Sequence, residues 1–204
     1  MLIGKNSSRA GLNGTAGVCG AATIHFGGGA PMCRGDQRIL RKPCEGVYEM
    51  KQIASFCIDH DLLEKGMYVS RIDGDVITYD IRMKKPNQGD YLSNGAMHTF
   101  EHLFATCARN SRYSENVVYV GPMGCRTGFY FLLRDAVSKQ DALELVRECF
   151  RFIVDFEGEI PGSKRWECGN YLEHDLPGAK AAAADMLAVL KDWNEEKMKY
   201  AVKA

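Results

Sequence analysis

The sequence predicts an α+β fold: two layers, with a mostly antiparallel sheet covered by helices, one of which carries a metal-binding HxxEH pattern. Three observations point there. Two alternating apolar runs flank an Asp-Gly-Asp turn, which is a hairpin signal. Long amphipathic stretches open on serine caps. Strands and helices are mixed without the strict alternation of a parallel βαβ sheet.

Taken in order, "MYVSRI" (67–72) and "VITYDIRM" (76–83) form the hairpin around Asp73-Gly74-Asp75. Ser93 or Asn94 caps a helix that runs to about Arg109. "NVVYV" (116–120) and "TGFYFLLR" (127–134) read as two further strands. Ser138, with Asp141 three residues on, opens an amphipathic helix in "SKQDALELVRECFRFIV". A loop, "EGEIPGSKRWECGN", follows. The alanine-rich stretch from about Pro177 to Lys197 has the propensity of a final helix.

Residues 1–49 do not share this order. They hold ten of the 21 glycines and a net charge of +3, from six basic and three acidic residues. They show neither helical nor strand periodicity. Such a segment buries too little apolar surface to offset its ordering entropy, so it reads as a disordered or non-native extension. Glu45-Gly46-Val47 precedes Met50 at a spacing that suits a ribosome-binding sequence, so Met50 is expected to be the native start. Residues 50–204 are then a single catalytic domain.

Across 204 residues, 26 basic and 26 acidic side chains cancel. There is no electrostatic footprint for nucleic acid, and no apolar run reaches the roughly 20 residues that span a bilayer. Eight cysteines occur without a close CxxC pair. No continuous apolar leader is present, so the chain reads as cytoplasmic with reduced thiols.

"HTFEHLFATCARN" (98–110) places His98 and His102 four residues apart on one helical face. Glu101 projects beside them, and Phe100, Leu103, Phe104 and Cys107 form the face toward the core. The pattern is HxxEH, a metalloenzyme signature in which the glutamate acts as acid or base. A catalytic metal takes three protein ligands and keeps one position open, so a third ligand is required. Cys125, in the glycine-rich "GPMGCRTGFY", and Cys168, in "WECGN", are both candidates by position. Each also suits a small residue in a turn.

"SFCIDH" (55–60), "YDIRM" (79–83), "HTFEHLFA" (98–105), "PMGCRTGF" (122–129) and "CG…HDLPGAK" (168–180) occur in order. Together they resemble the S-ribosylhomocysteine lyase family, the LuxS autoinducer-2 synthases, from about residue 50 to the C-terminus. The resemblance implies a homodimer with sites at the subunit interface. It implies one Fe(II) per subunit, replaceable by zinc or cobalt, and no organic cofactor. It assigns His98, His102 and Cys168 to the metal and Cys125 and Glu101 to proton transfer. Ser55, His60 and Arg82 match substrate-contacting positions. Ala105 and Arg109 match positions that line a neighbouring chain's pocket. His25 and His174 receive no role, and Cys57, Cys107 and Cys149 read as core thiols. One departure is visible: before "PMGC" many members read Asp-Ile-Ser, where this chain has Tyr119-Val120-Gly121.

The implied reaction cleaves a thioether to homocysteine and 4,5-dihydroxy-2,3-pentanedione, the autoinducer-2 precursor. The sulfur sits on ribose C5, so elimination needs an acidic proton at C4. The carbonyl must therefore migrate from C1 to C3 by proton transfers. A nearby cation would favour the Cys125 thiolate, and Arg82 is the best candidate; Arg82 also has Asp80 or Asp90 as plain structural partners. Two alternatives share the HxxEH pattern or the ligand types: an inverzincin-like metallopeptidase, and a non-enzymatic structural metal domain. Because residues 1–49 carry no core pattern, deleting them is expected to leave the melting temperature and turnover nearly unchanged. A thermal melt and an initial-rate assay of the shortened chain check this.

Overall fold

The structure, a computed structural model, describes residues 58–201. The expected N-terminal extension, the Met50 start, Ser55, His25 and Cys57 lie outside the described residues.

Strands β1 (Gly66–Asp73) and β2 (Val76–Arg82) form the expected hairpin. Asp73 pairs with Val76, so Gly74 and Asp75 make a two-residue turn, and Gly74 takes φ 61°. That left-handed value is why glycine stands there. Helix α1 (Asn94–Arg109) starts where the Ser93 side chain accepts the amide hydrogen of Ala96. β3 (Val117–Pro122) and β4 (Gly128–Arg134) follow, each within about two residues of its expected start and end. Helix α2 (Lys139–Asp155) is capped by Ser138, which accepts from the Asp141 amide while Asp141 accepts from the Ser138 hydroxyl. Helix α3 (Leu176–Leu190) is the last α-helix among the described residues, followed by a short 3-10 turn at Glu195–Met198. The sheet order is β1-β2-β4-β3 and every pairing is antiparallel.

Side chains alternate across a strand. On β2, Ile77, Tyr79 and Ile81 join the core with Phe129, Phe131 and Leu133 of β4. α1 lies against this face: Phe100 stacks on Phe129 at 4.8 Å, and Phe104 meets Phe131 at 5.0 Å. Phe150 of α2 packs edge-on against Phe100 and Phe104 at 5.0 and 5.4 Å. α1 is thus wedged between sheet and helix. Each of these buried rings contributes on the order of 1.5–3 kcal/mol by its burial. A helix held this way is a rigid platform for whatever its other face carries. Thr78, Asp80 and Arg82 point to the opposite sheet face and are also buried.

The final helix ends earlier than its composition suggests. Arg147 of α2 donates to the carbonyl oxygens of Leu190, Lys191 and Trp193. Leu190 O is an orphan acceptor of the helix end and the other two carbonyls lie just past it, so Arg147 clamps the chain where it leaves α3. Trp193 then turns onto β1: its indole donates to Met67 O at 2.8 Å and its ring meets Tyr68 edge-on at 5.6 Å. Asn194 caps the 3-10 turn by accepting from the Lys197 amide. Tertiary contacts have overridden helix propensity here.

Trp193 reaches the sheet because Gly66 has no side chain; a Cβ there would run into the indole ring. Gly66→Val is therefore expected to lift Trp193 and cost about 1–3 kcal/mol, the usual scale for forced overpacking. Urea unfolding followed by far-UV circular dichroism checks it, and an unchanged midpoint would show that this contact does not hold the C-terminal segment.

Candidate metal centre

The outer face of α1 carries His98 and His102. Each imidazole is oriented by a backbone carbonyl from the long α2–α3 connection. His98 Nδ1 donates to Glu173 O at 2.8 Å and His102 Nδ1 to Pro161 O at 2.8 Å. A carbonyl can only accept, so both Nδ1 atoms carry the hydrogen and both Nε2 lone pairs are left free. The same connection delivers Cys168. Its Sγ lies 3.2 Å from His98 Nε2 and 3.9 Å from His102 Nε2, and the Asn170 amide points at it from 3.4 Å. Two imidazoles and a thiolate within reach of one point suit a divalent first-row metal. The carbonyls behind the histidines are the outer support such sites need. The donor set fits.

His174 joins this group, although the sequence pattern gave it no role. One ligand atom from each of His98, His102, Cys168 and His174 lies within 4.8 Å of the others. The His174 ring stacks on His98 at 4.2 Å with 19° between planes. Burial and the nearby His98 and His102 hold its pKa below the ordinary histidine value. His174 shares the Cys168 loop and immediately precedes Asp175, whose side chain caps α3 by accepting from the Gly178 amide at 2.8 Å. Its presence in the cysteine's own loop was the available signal; helical spacing could not reveal it.

A second constellation surrounds Cys125, which is exposed in the β3–β4 turn. Arg126 beside it takes φ 59°, and Arg126 N donates to Met123 O at 2.8 Å to close the turn. Arg82 Nη1 donates to Thr127 Oγ1 at 2.5 Å and lies 3.8 Å from Cys125 Sγ. Because the guanidinium can only donate, the Thr127 oxygen accepts and its own hydrogen is free for Cys125 Sγ at 3.0 Å. Asp80 holds Arg82 Nη2 at 2.6 Å, with both side chains almost fully buried. The plain structural partnership with Asp80 is therefore present alongside the contact to the thiol. Burial opposes the Arg82 charge, but Asp80, by charge and by hydrogen bond, and Cys125 raise its pKa above the ordinary value. Tyr200 donates to the same Asp80 oxygen at 2.9 Å. Burial first, and then the Asp80 charge, push the Tyr200 phenol far up, so it stays a donor. Sequence patterns missed Thr127 and Tyr200, since neither belongs to a reactive residue type.

The other expected site residues divide. Glu101 is half-buried on α1 beside His102 and has no ion pair among the described residues. Ala105 packs partly against the core. Arg109 donates to Val117 O at 3.2 Å and Val118 O at 3.1 Å, tying α1 to β3. His60 bonds to Ile58 O at 2.9 Å. The structure does not bring His60 into the metal-ligand group, and the described contacts of Arg109 also lie elsewhere. Where Asp-Ile-Ser was replaced, a Cβ at position 121 would meet the Tyr119 ring, so Tyr119 and Gly121 are a matched pair.

Two helix-borne histidines, a loop cysteine and an adjacent glutamate, on an antiparallel α+β frame, define a metal-dependent enzyme. A family model described as S-ribosylhomocysteinase (LuxS) matches residues 53–197. The S-ribosylhomocysteine lyase of Phocaeicola vulgatus is 49% identical over 160 residues, covering 76% of this chain and 99% of that protein. That of Clostridium acetobutylicum is 46% identical over 156 residues, covering 74% and 99%. That of Porphyromonas gingivalis is 49% identical over 157 residues, also covering 74% and 99%. The chain belongs to the S-ribosylhomocysteinase (LuxS) family. Neither the metallopeptidase nor the structural metal domain is supported.

The geometry separates the two cysteines. Cys168→Ala is expected to lose metal affinity, since two histidines make an incomplete site. Cys125→Ala is expected to keep about one metal per chain, as a single three-ligand site requires. Metal analysis and the thiolate charge-transfer band of the cobalt-loaded protein check both. A band lost in Cys125→Ala and kept in Cys168→Ala would reverse the assignment.

Proposed function

We propose that this chain is an S-ribosylhomocysteine lyase. It cleaves the thioether of S-ribosylhomocysteine to homocysteine and 4,5-dihydroxy-2,3-pentanedione. The observation that carries the reading is the convergence of His98 Nε2, His102 Nε2 and Cys168 Sγ beside Glu101, in a chain that the family model matches over residues 53–197. Fe(II), one per chain, is the proposed metal, with zinc or cobalt able to stand in. When bound, it supplies Lewis-acid stabilisation of negative charge that develops on substrate oxygens.

The remaining chemistry belongs to the chain. Cys125 as thiolate carries a proton between adjacent sugar carbons as the carbonyl migrates from C1 to C2 and then to C3. Thr127 and Arg82 hold that sulfur by hydrogen bond and charge. Glu101 moves protons to and from oxygen. Loss of the C4 proton then expels homocysteine as a thiolate from C5, which takes up a proton. Only protons move and one C–S bond breaks, so no external oxidant or reductant is needed.

We infer that the working unit is a homodimer with its sites at the interface. In support, the Arg82–Cys125 network lies on the sheet face turned away from α1, whereas the metal ligands lie on and beside α1. One chain therefore does not face its own thiol toward its own metal. In this reading Ser55, His60, Ala105 and Arg109 complete a shared pocket around the substrate. Residues 50–204 are the catalytic domain, and 1–49 lie outside it. A zero net charge gives no support for nucleic acid as a partner, and no described helix is long and apolar enough to cross a membrane. We place the enzyme in the cytoplasm.

The test is thiol release from S-ribosylhomocysteine by the iron-loaded protein, with a peptide substrate as the control that stays intact. Mixing inactive His98→Ala chains with inactive Cys125→Ala chains is then expected to restore part of the rate, because mixed dimers hold one intact site. No recovery after subunit exchange has been demonstrated would overturn the shared site.

A further inference from the structure

We propose that His174 is a neutral hydrogen-bond donor to a substrate oxygen, and not a fourth metal ligand. The inference rests on the reading above that His98, His102 and Cys168 hold the metal. Its own foundation is the partner of each imidazole's Nδ1.

His98 and His102 place Nδ1 against carbonyl oxygens, which leaves Nε2 as a lone pair. His174 places Nδ1 against a hydroxyl instead, Thr99 Oγ1, at 3.1 Å. That oxygen already accepts the Asp175 amide hydrogen at 2.9 Å, and Thr99 is completely buried. If His174 Nδ1 also donated to it, the hydroxyl hydrogen would be buried with no acceptor among the described residues. Burying an unmade donor is costly, so the satisfied arrangement has Thr99 donating to His174 Nδ1. The hydrogen of the neutral ring then sits on Nε2.

Nε2 is the unpartnered atom. It is buried and has no hydrogen-bond partner among the described residues. Yet His174 stands in the same group as His98, His102 and Cys168, with ligand atoms within 4.8 Å. Nε2 with its hydrogen cannot ligate a cation. It can donate to an oxygen lodged between it and those ligands, and most strongly to one gaining negative charge. Each carbonyl migration puts such charge on adjacent sugar oxygens. Stacking on His98 and the Thr99–Asp175 chain fix the ring before substrate arrives, so no reorganisation is required at the moment of reaction. The oxygens on sugar carbons 1 to 4 all change state during the reaction, and a ring that donates instead of ligating would leave room for them beside His98, His102 and Cys168.

The test uses the full-length protein loaded with cobalt, and acetohydroxamate as a small anionic mimic of an enediolate. His174→Phe keeps a flat ring on His98 and removes the donor. It is expected to retain one cobalt per chain, as a three-ligand site requires, with the wild-type affinity and absorption bands. Its hydroxamate affinity is expected to fall about tenfold or more, the scale of a lost hydrogen bond to a charged group. Its kcat on S-ribosylhomocysteine should drop about a hundredfold, as for a missing oxyanion donor, with KM little changed. His174→Gln, which returns an N–H at similar reach, should recover part of both. Thr99→Val leaves His174 in place but removes the hydroxyl that sets its tautomer. It should weaken the hydroxamate in the same direction, and it carries the test if His174→Phe does not fold. Loss of cobalt or altered bands in His174→Phe would make His174 a ligand and overturn the proposal, as would unchanged hydroxamate affinity. If the wild-type protein releases no thiol while the hydroxamate penalty stands, the assigned substrate falls and the donor role remains.

Discussion

Two hydrogen bonds to backbone carbonyls make the centre possible. Glu173 O and Pro161 O lie 75 and 59 residues from the histidines they orient. Without them each imidazole would choose its tautomer freely and rotate on the helix surface. The long α2–α3 connection therefore shapes the site directly. It returns to α1, offers two carbonyls, and leaves Cys168 between the rings. Its anchors are backbone hydrogen bonds. Cys168 N bonds to Lys164 O at 3.0 Å, and Asp175 N to Gly95 O at 3.2 Å. The last of these ties the end of the loop to the first turn of α1 itself.

The opposite face of the sheet obeys a different constraint. Asp80 and Arg82 are 1% and 3% exposed, and breaking such a buried pair costs about 3–5 kcal/mol because one charge is left alone. Such a pair seldom adds stability over an apolar alternative. What it supplies here is direction: Asp80, held in turn by Tyr200, leaves Arg82 one remaining edge, and that edge faces Thr127 and Cys125. Thr78 Oγ1, Asp80 Oδ1 and Arg82 Nε on this face have no hydrogen-bond partner among the described residues. Buried polar atoms of that kind are rare in a finished interior.

Much of this was legible locally. The hairpin followed from alternation around Gly74, the caps from Ser93 and Ser138, and the histidine pair from a four-residue spacing that an α-helix converts into one face. The family followed from five short motifs in order. What escaped reading is equally particular. His174 was passed over because its relation to His98 is a stacked contact across the chain's long return. Thr127 and Tyr200 are ordinary residue types whose roles come only from what they touch. The end of α3 was misjudged because Arg147 and Trp193 decide it, and neither acts through helix propensity.

Sequence by itself determined the antiparallel α+β frame, the HxxEH helix, the two candidate cysteines and the family, since each is written in spacings of a few residues that backbone geometry enforces. Spacing left either cysteine open and the motif resemblance chose Cys168. Tertiary structure shows Cys168 standing with the histidines. It alone decided which nitrogen of each histidine is free and that Cys125 sits with Arg82, away from that group. The physical reason is that tautomer, ligand convergence and facing are set by hydrogen bonds between positions tens of residues apart. Those contacts exist only once the chain has closed on itself.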